Sequence, residues 1–455
     1  RIIADAEALD PQTVKFTFQP ESAKRDRINQ AGATPVMSRA FMEANDYRLD
    51  ESNDLPVLGT GAYLLDRYET NQRVVYKRDP DYWASDLPLM KGRNNFDSIR
   101  VEYFADSDAA FEAFKAGAYT FRVEDSSKQW ATGYDFGGVS SGAVVKAMLP
   151  DGSQSTGQSF VFNLRRDKFK DIRVRDAIGR MFNFEWSNQT LFYGIYARIN
   201  GFATNSYNEA TGTPTPGELA VLEPIAELLP EGVLTDEVVM PPVSGTRQSD
   251  RGQLRTASAL LDAAGWEVGD DGIRRNADGE TLTVEFLEYS PAFDRVVQPF
   301  VDNLKTLGID ATLNRVDSAQ YTERARAFDF DIMTDRYSIG YEAGSGLEQR
   351  FGSKEAAFSQ FNPGGIADPA IDALIEAARA KQDRDGMIDA MRALDRVLRA
   401  GKYTTPQWFK DQHTVAYYDM FEHPETIAPY DLGYLDYWWY NAEKAAALQA
   451  SGALR

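Results

Sequence analysis

The stretch Gly59–Trp83, GTGAYLLDRYETNQRVVYKRDPDYW, decides the fold assignment of this 455-residue chain. Two strand-like runs, Ala62–Tyr68 and Arg73–Arg78, flank the polar turn Glu-Thr-Asn-Gln, and this pattern predicts a β-hairpin. Pro80 ends the second strand because it has no N–H group for the hydrogen-bond ladder. The hairpin offers no catalytic chemistry, so its value lies in its sequence pattern.

Composition limits the classes of function. The chain has 49 Lys and Arg against 69 Asp and Glu, which gives a formal net charge of −20. This balance argues against a nucleic-acid partner, because phosphate binding needs a basic surface. Cysteine is absent, which excludes disulfides and thiolate metal sites and is compatible with a periplasmic location. No apolar run approaches the roughly 18 residues of a membrane span.

Apolar periodicity predicts a parallel α/β unit in the second half of the chain. A strand at Leu282–Phe286, a helix at Phe293–Leu307 and strands at 309–316 and 328–333 follow one another, and this order is typical of parallel sheets. Further helices are predicted at 108–117, 173–182, 254–264, 368–380 and 384–398, and further strands at 13–18, 98–104 and 159–163. Residues 203–253 are rich in Pro, Gly and acidic groups, which indicates long surface connections.

Two stretches resemble one known family. The Gly59–Trp83 hairpin resembles the segment GTGPY…W……L.RNPDYW of the family 5 extracellular solute-binding proteins. Residues 160–194, FVFNLRRDKFKDIRVRDAIGRMFNFEWSNQTLFYG, resemble the family pattern FN…PF.D.RVR.A. The variant FEWSNQTLFYG within it is similar to the Yej-type subgroup of oligopeptide and microcin importers.

The resemblance implies an α/β fold of periplasmic-binding-protein type II, a two-lobed venus-flytrap with a hinge, whose N-terminal part is missing from this chain. Residues 1–55 would be the remnant of a small third domain, 56–155 with 418–455 would form lobe I, and 156–417 would form lobe II. The implied protein is a monomeric, periplasmic subunit of an ABC importer, with no enzymatic activity, cofactor or metal. It would capture oligopeptides or microcin- or murein-peptide-like compounds in an interlobe cleft and deliver them to permease subunits in the inner membrane.

The segment Arg324–Arg350, RARAFDFDIMTDRYSIGYEAGSGLEQR, is the candidate ligand loop, because in the family the loop after the FDFD-like strand lies in the cleft. A peptide would be fixed there by its charged ends, with Arg for a carboxylate and Asp or Glu for an amine, and by aromatic faces. The predicted ligand residues of this segment are Arg324, Asp335, Arg336, Tyr337, Tyr341, Glu342 and Arg350. Those predicted outside it are Asn163, Trp186, Tyr193 and Trp408.

One position departs from the family pattern. Enteric oligopeptide binders carry an Asp in this loop that pairs with the peptide α-amine, and the corresponding residue here is Gly340. Asp335 or Glu342 could substitute for that Asp. A peptide with a modified or blocked amine is therefore an alternative ligand.

Other functions remain open on the sequence. A binding protein of the same fold could take a sugar, an opine or a nickel chelate. Gly138–Gly142, GVSSG, matches the G-x-S-x-G elbow of serine hydrolases, which needs a strand before it, a helix after it and a distant His. The two histidines are His413 and His423, and each is interpreted as structural or as a metal or haem ligand. The aspartates of FDFD are interpreted as a solvated strand face rather than a metal site, and Trp438-Trp439-Tyr440 as a packing anchor.

Overall fold

The computed structural model describes residues 3–20, 22–51, 56 and 58–454. The chain forms two compact units, each made of two segments: unit 1 is Arg1–Ile28 with Ser153–Asp411, and unit 2 is Asn29–Gly152 with Gln412–Arg455. The lobe assignments made above remain predictions.

The strands are β1 (Ile3–Asp10), β2 (Thr13–Phe18), β3 (Tyr63–Glu69), β4 (Arg73–Arg78), β5 (Ser98–Glu102), β6 (Phe121–Val123), β7 (Val144–Pro150), β8 (Gln158–Phe162), β9 (Ala197–Arg198), β10 (Glu267–Val268), β11 (Arg274–Arg275), β12 (Thr283–Glu288), β13 (Asp310–Arg315), β14 (Ile332–Arg336), β15 (Thr404–Pro406), β16 (Trp408–Phe409), β17 (Gln412–Tyr418), β18 (Phe421–Glu422) and β19 (Trp439–Tyr440).

The α-helices are α1 (Lys24–Gly32), α2 (Arg39–Ala44), α3 (Ser107–Lys115), α4 (Ser127–Thr132), α5 (Gly137–Ser140), α6 (Ile172–Arg180), α7 (Phe184–Thr190), α8 (Pro216–Leu222), α9 (Arg251–Ala263), α10 (Pro291–Thr306), α11 (Ser318–Arg326), α12 (Ser345–Phe351), α13 (Pro369–Ala380), α14 (Arg384–Ala400) and α15 (Ala442–Ala450). Short 3-10 helices lie at Pro88–Met90, Asp167–Phe169, Glu223–Leu228 and Ser353–Glu355.

Unit 1 is built on a five-stranded sheet with the order β13-β12-β14-β8-β15. β12 pairs in parallel with β13 and β14, which confirms the predicted parallel α/β unit. β8 alone runs the other way, antiparallel to β14 and β15. The carboxyl ends of β12, β13, β14 and β15 therefore meet the start of β8 at one edge, which we call the carboxyl edge of the sheet.

Helices cover both faces of this sheet. On one face, α6, α9 and α10 pack on Phe160, Phe286 and their neighbours. On the other, α13 and α14 pack on Val161, and α11 contributes partly buried residues against Leu287 and Met333. The predicted helices are confirmed because their apolar residues recur at helical spacing and form the buried stripe in each case.

The segment between β9 and α9 is the clearest departure from prediction. It was expected to run over the surface, yet Leu222, Val233 and Val238 are buried, and the first two of them belong to the core around α14. Asp395 of α14 ties part of this segment down, since its carboxylate accepts hydrogen bonds from the backbone N–H groups of Phe202 and Ala210 at 2.8 and 3.0 Å. These apolar residues are spaced irregularly, so the sequence pattern concealed their burial.

Unit 2 contains the predicted Gly59–Trp83 hairpin. β3 and β4 pair antiparallel as predicted, with an irregularity between Leu65 and Arg67, and β5 adds a third strand to β4. A second sheet has the order β6-β17-β7. Trp438 packs against Tyr417 of that sheet with ring centroids 5.1 Å apart and is 1% exposed, which confirms the packing interpretation for this residue. Trp439 and Tyr440, which were interpreted in the same way, are 38% and 50% exposed.

Candidate functional site

A row of polar side chains lies at the carboxyl edge of the unit 1 sheet. Gln158 Nε2 donates to Gln407 Oε1 at 2.8 Å, and Gln407 Nε2 donates to Thr334 Oγ1 at 3.2 Å. The Thr334 hydroxyl then donates to Glu288 Oε1 at 2.5 Å. Ligands of open α/β sheets characteristically bind outside the carboxyl ends of the strands. This polar row is therefore a candidate binding surface.

Glu288 is the most perturbed group of the row. It is the last residue of β12 and is only 2% exposed. Burial, which disfavours the charged form, raises the pKa of its carboxyl to about 7, and the nearby Asp294 adds to the rise. Within the described residues, Thr334 is the one hydrogen-bond donor to this carboxyl. A carboxyl in this state is poised to gain a cationic partner.

Three predicted charged residues lie at the same edge. Asp335 and Arg336 end β14, and Arg350 near the end of α12 donates to the Arg336 backbone oxygen at 3.2 Å. Burial raises the pKa of Asp335, against the opposing effect of Arg336 and Arg350. Opposite charges thus lie near enough at this edge to influence one another, as the recognition of a zwitterion requires.

The loop after β14 is held rigidly. Gly340 has a φ of +73°, the left-handed region that glycine adopts without strain. Asn208 Nδ2 donates to the Gly340 and Tyr341 backbone oxygens at 3.0 and 3.1 Å. The Tyr341 hydroxyl accepts from the Gln154 backbone N–H at 2.6 Å, while Glu342 beside it is exposed. The structure therefore brings Tyr341 and Glu342 into the loop that follows Asp335 and Arg336.

Two predicted ligand residues lie at the opposite end of the sheet. Arg324 pairs with Glu285 at 2.5 Å and with Asp329 at 3.2 Å, before β14 begins. Asn163 is fully buried and donates to the Phe328 and Phe330 backbone oxygens, both at 2.9 Å. The length of β14 separates these two residues from the charged loop, so the structure does not place them in one site with it.

Two more predicted residues are core residues in the structure. Tyr337 is 1% exposed. Its hydroxyl donates toward two acceptors, the Arg350 backbone oxygen at 2.7 Å and Asn362 Oδ1 at 2.8 Å. Trp408 is buried against Phe192, with ring centroids 4.4 Å apart. Their polar and aromatic surfaces are used for packing, and we leave both out of the proposed site.

The remaining predicted aromatic residues lie on and after α7. Trp186 is partly buried in the first turn, and its backbone N–H is capped by Asn183 Oδ1 at 2.9 Å. Tyr193 is 48% exposed with a φ of +58°, a strained conformation for a tyrosine. Neither forms part of the polar row.

No member of the polar row is among the predicted ligand residues, and its most buried members are Glu288 and Gln407. Each lies at a strand end, where polar residues are common and carry no distinctive pattern. A usable signal was present in FLEYSP, because an acidic residue directly after the buried Phe286 and Leu287 ends a parallel strand at the edge where ligands bind.

The geometry around the G-x-S-x-G match does not fit a serine hydrolase. Ser140 ends the short helix α5, and β7 follows it, whereas the nucleophile elbow needs a strand before the Ser and a helix after it. The Ser140 hydroxyl donates to the Phe136 backbone oxygen at 3.2 Å. His413 lies 3.6 Å from Asp151, and His423 packs on Trp438.

The described part of the chain lacks a metal-binding cluster and a membrane-spanning helix. It contains no group of three or more Asp, Glu and His side chains that could hold a metal ion. None of its helices combines the length and the apolar character of a membrane-spanning segment.

Two solved structures define the class of fold. The structure is similar to the oligopeptide-binding protein AppA from Bacillus subtilis in complex with a nonapeptide, with a TM-score of 0.68 and 16% identity, covering 96% of this chain and 78% of that one. It is also similar to NikZ from Campylobacter jejuni in complex with Ni(L-His), with a TM-score of 0.70 and 14% identity, covering 95% and 77%. The fold is that of the type II periplasmic binding proteins, as predicted.

Sequence similarity identifies the family. The family described as bacterial extracellular solute-binding proteins, family 5 Middle, matches residues 1–358. The probable peptide-binding protein YejA of Agrobacterium fabrum (strain C58 / ATCC 33970) is 39% identical over 445 residues, which cover 96% of this chain and 72% of that protein. The chain therefore belongs to the family 5 extracellular solute-binding proteins, and the resemblance drawn from its hairpin is confirmed. This is a family of periplasmic binding proteins of ABC transporters and not a family of enzymes.

Proposed function

We propose that this chain is the solute-binding subunit of an ABC importer and that its solute is an oligopeptide or a peptide-like compound. The names of its relatives support a peptide: YejA of Agrobacterium fabrum is a probable peptide-binding protein, and DppA of Helicobacter pylori was solved with the peptide STSA. MppA, a further structural neighbour with a TM-score of 0.56, is a murein tripeptide binding protein. The protein would act as a periplasmic monomer and deliver its solute to permease subunits.

The observation that carries this proposal is the proximity of opposite charges at the carboxyl edge of the unit 1 sheet, where Arg336 and Arg350 oppose the rise in the Asp335 pKa. Arg336 and Arg350 would hold the solute's carboxylate, while Asp335 and Glu288 would accept hydrogen bonds from its amine. Every unblocked peptide carries these two charges whatever its side chains, so such a site tolerates many sequences. Charge-assisted hydrogen bonds of this kind contribute about 1.5–3 kcal/mol each.

The test is a binding experiment on the purified chain. It is incubated with a pool of short synthetic peptides, the unbound material is removed by gel filtration, and retained peptides are identified by mass spectrometry. We expect the chain to retain a subset of peptides that differ in their side chains and share the same backbone and charged termini. The affinity of one retained peptide is then measured by calorimetry for the wild type and for Asp335→Asn and Arg350→Gln.

Each of these substitutions should weaken binding about tenfold or more, since each removes one charge-assisted bond. Lys305→Gln is the matched control, because Lys305 is an exposed cation at the far end of α10. Retention of no peptide, with retention of a mannohexaose-type sugar or of a Ni(II)–histidine complex instead, would refute the peptide proposal. Unchanged affinity in both variants would refute the assignment of the site.

A further inference from the structure

A basic cavity lies beside the open edge of the unit 1 sheet, next to β15. Its interior volume is about 60 Å³, and its walls come from α6, from the end of α14, from β9 and from residues 239–242. Its charged lining residues are Arg175, Arg198, Arg399, Lys402 and Asp176. Four cations against one carboxylate make an exceptional surface in a chain whose net charge is −20.

The four cations differ in how closely carboxylates of the protein balance their positive charge. Arg399 pairs with Asp395 at 2.7 Å, and Lys402 pairs with Asp176 at 3.1 Å. Arg198 has a much weaker contact, since its Nη1 atom lies 3.4 Å from a Glu185 oxygen.

Arg175 lies under the cavity and has no carboxylate partner in the described residues. Its guanidinium donates hydrogen bonds to backbone oxygens, including those of Phe169 at 2.6 Å and Gly401 at 2.7 Å. The charges of Arg175 and Arg198 are therefore only partly balanced.

The guanidinium of Arg198 lies over the Phe184 ring, with its Cζ 5.3 Å from the ring centroid, and its Nε–Nη2 edge makes no hydrogen bond within the described residues. Its side chain is 11% exposed, and its Nη1 donates to the Pro242 backbone oxygen at 3.0 Å. Within the described part of the chain, its Nε and Nη2 atoms have no hydrogen-bond partner although both are buried. Thr405, which is 3% exposed and lines the same cavity, has a hydroxyl in the same condition.

The Nε–Nη2 edge of an arginine can donate two parallel hydrogen bonds to two oxygens of one anion. This protein uses it so in unit 2, where Arg93 Nε and Nη2 hold the two oxygens of Asp436 at 2.8 and 2.5 Å. At Arg198 the same pair of donors faces no carboxylate. Buried donors left unpaired are costly, and an oxyanion with a hydrogen-bond acceptor for Thr405 would satisfy all of them.

We propose that this cavity binds a small oxyanion, with Arg198 holding two of its oxygens and Thr405 contributing a third contact. The ligand class is a phosphate, a sulfate or a carboxylate. Burial lowers the pKa of Arg198, against the opposing effect of Glu185. This site is independent of the peptide proposal, because its residues take no part in the polar row.

The test uses sodium phosphate and sodium formate as probes of the intact chain, by calorimetry and by thermal shift, against sodium chloride at equal ionic strength. We expect saturable binding of at least one probe and a rise in melting temperature beyond that in chloride. Arg198→Gln should weaken this binding at least about tenfold, and Arg198→Lys should do so nearly as much because it lacks the two-donor face. Arg326→Gln, an exposed arginine on α11, is the control and should bind as the wild type does.

The two probes separate the sources of the anion, since phosphate alone indicates a free inorganic ion and formate alone indicates a carboxylate-bearing compound. Phosphate and formate effects no larger than those of chloride would overturn the proposal. Binding that persists unchanged in both Arg198 variants would overturn it as well. Circular dichroism of each variant establishes that it is folded before binding is measured.

Discussion

Replacing Glu288 by Gln should stabilise the protein at neutral and alkaline pH and change its stability little in mild acid. Burial raises the pKa of this carboxyl from an ordinary 4.5 to about 7. Above pH 4.5 the group is ionised in the unfolded chain, whereas in the fold it stays protonated up to about pH 7. Its contribution to stability therefore falls as the pH rises through this window and is constant above it.

The size of the effect follows from the rise in pKa. At about 1.4 kcal/mol for each tenfold change in acidity, a rise from 4.5 to about 7 removes roughly 3 kcal/mol of unfolding free energy from the wild type at alkaline pH. Glutamine has nearly the same shape, keeps an oxygen to accept the Thr334 hydrogen bond, and carries no charge. The free energies of unfolding of the two proteins should nearly coincide near about pH 4 and differ by roughly 3 kcal/mol near about pH 8.

Urea denaturation at constant ionic strength across this range of pH measures the difference. Asp294→Asn provides a graded comparison, because it removes the nearby negative charge that adds to the rise in the Glu288 pKa. It should flatten part of the pH dependence, and Glu288→Gln should flatten more. Parallel pH profiles for the wild type and Glu288→Gln would refute the reasoning.

Three further predictions use the same chain. Gly157→Ala should destabilise unit 1 by at least about 2 kcal/mol in urea denaturation. The reason is that Gly157 has a φ of +72° and that a Cβ there would lie 2.6 Å from the Tyr337 backbone oxygen. A soluble variant with wild-type stability would contradict this prediction. Asp395→Ala should cost roughly 3–5 kcal/mol because it removes the carboxylate 2.7 Å from Arg399 and leaves the longer 3.3 Å contact with Glu209, and a loss under about 1 kcal/mol would argue against the buried pair. If a solute's amine meets Glu288, binding near about pH 6 should release up to roughly 0.9 proton, seen by calorimetry in buffers of different ionisation enthalpy and absent in Glu288→Gln.

Local sequence patterns predicted the elements well because their signals are local. The β3–β4 hairpin was legible from two alternating runs around a polar turn, and its strands begin and end within one residue of prediction. The order of strands and helices from β12 to β14 was enough to predict parallel pairing, since a strand–helix–strand crossover favours it. These features need no knowledge of distant contacts.

The candidate site was harder to predict because its members meet only after folding. Arg324 and Asp335 are near in sequence, but β14 carries the chain across the sheet between them. Gln407, which completes the polar row, comes from the residue after β15 and reaches Thr334 only through the order of the sheet. Tyr337 was predicted as a ligand residue because the family's loop after the FDFD-like strand lies in the cleft, and it is buried because its ring packs on Phe351 and Phe202.

Glu288 and Arg198 share one physical property, a buried charge that the surrounding protein compensates poorly. Burial favours the neutral form of each group, so it raises the pKa of Glu288 and lowers the pKa of Arg198. The same unit pairs a buried charge fully elsewhere, as Arg396 does with Glu218 at 2.8 Å. The fold is therefore capable of such pairing, and we infer that ions from outside would complete it at Glu288, beside the sheet edge, and at Arg198, beside the cavity. A ligand that does so returns the stability that burial removed, which links binding to folding at both places.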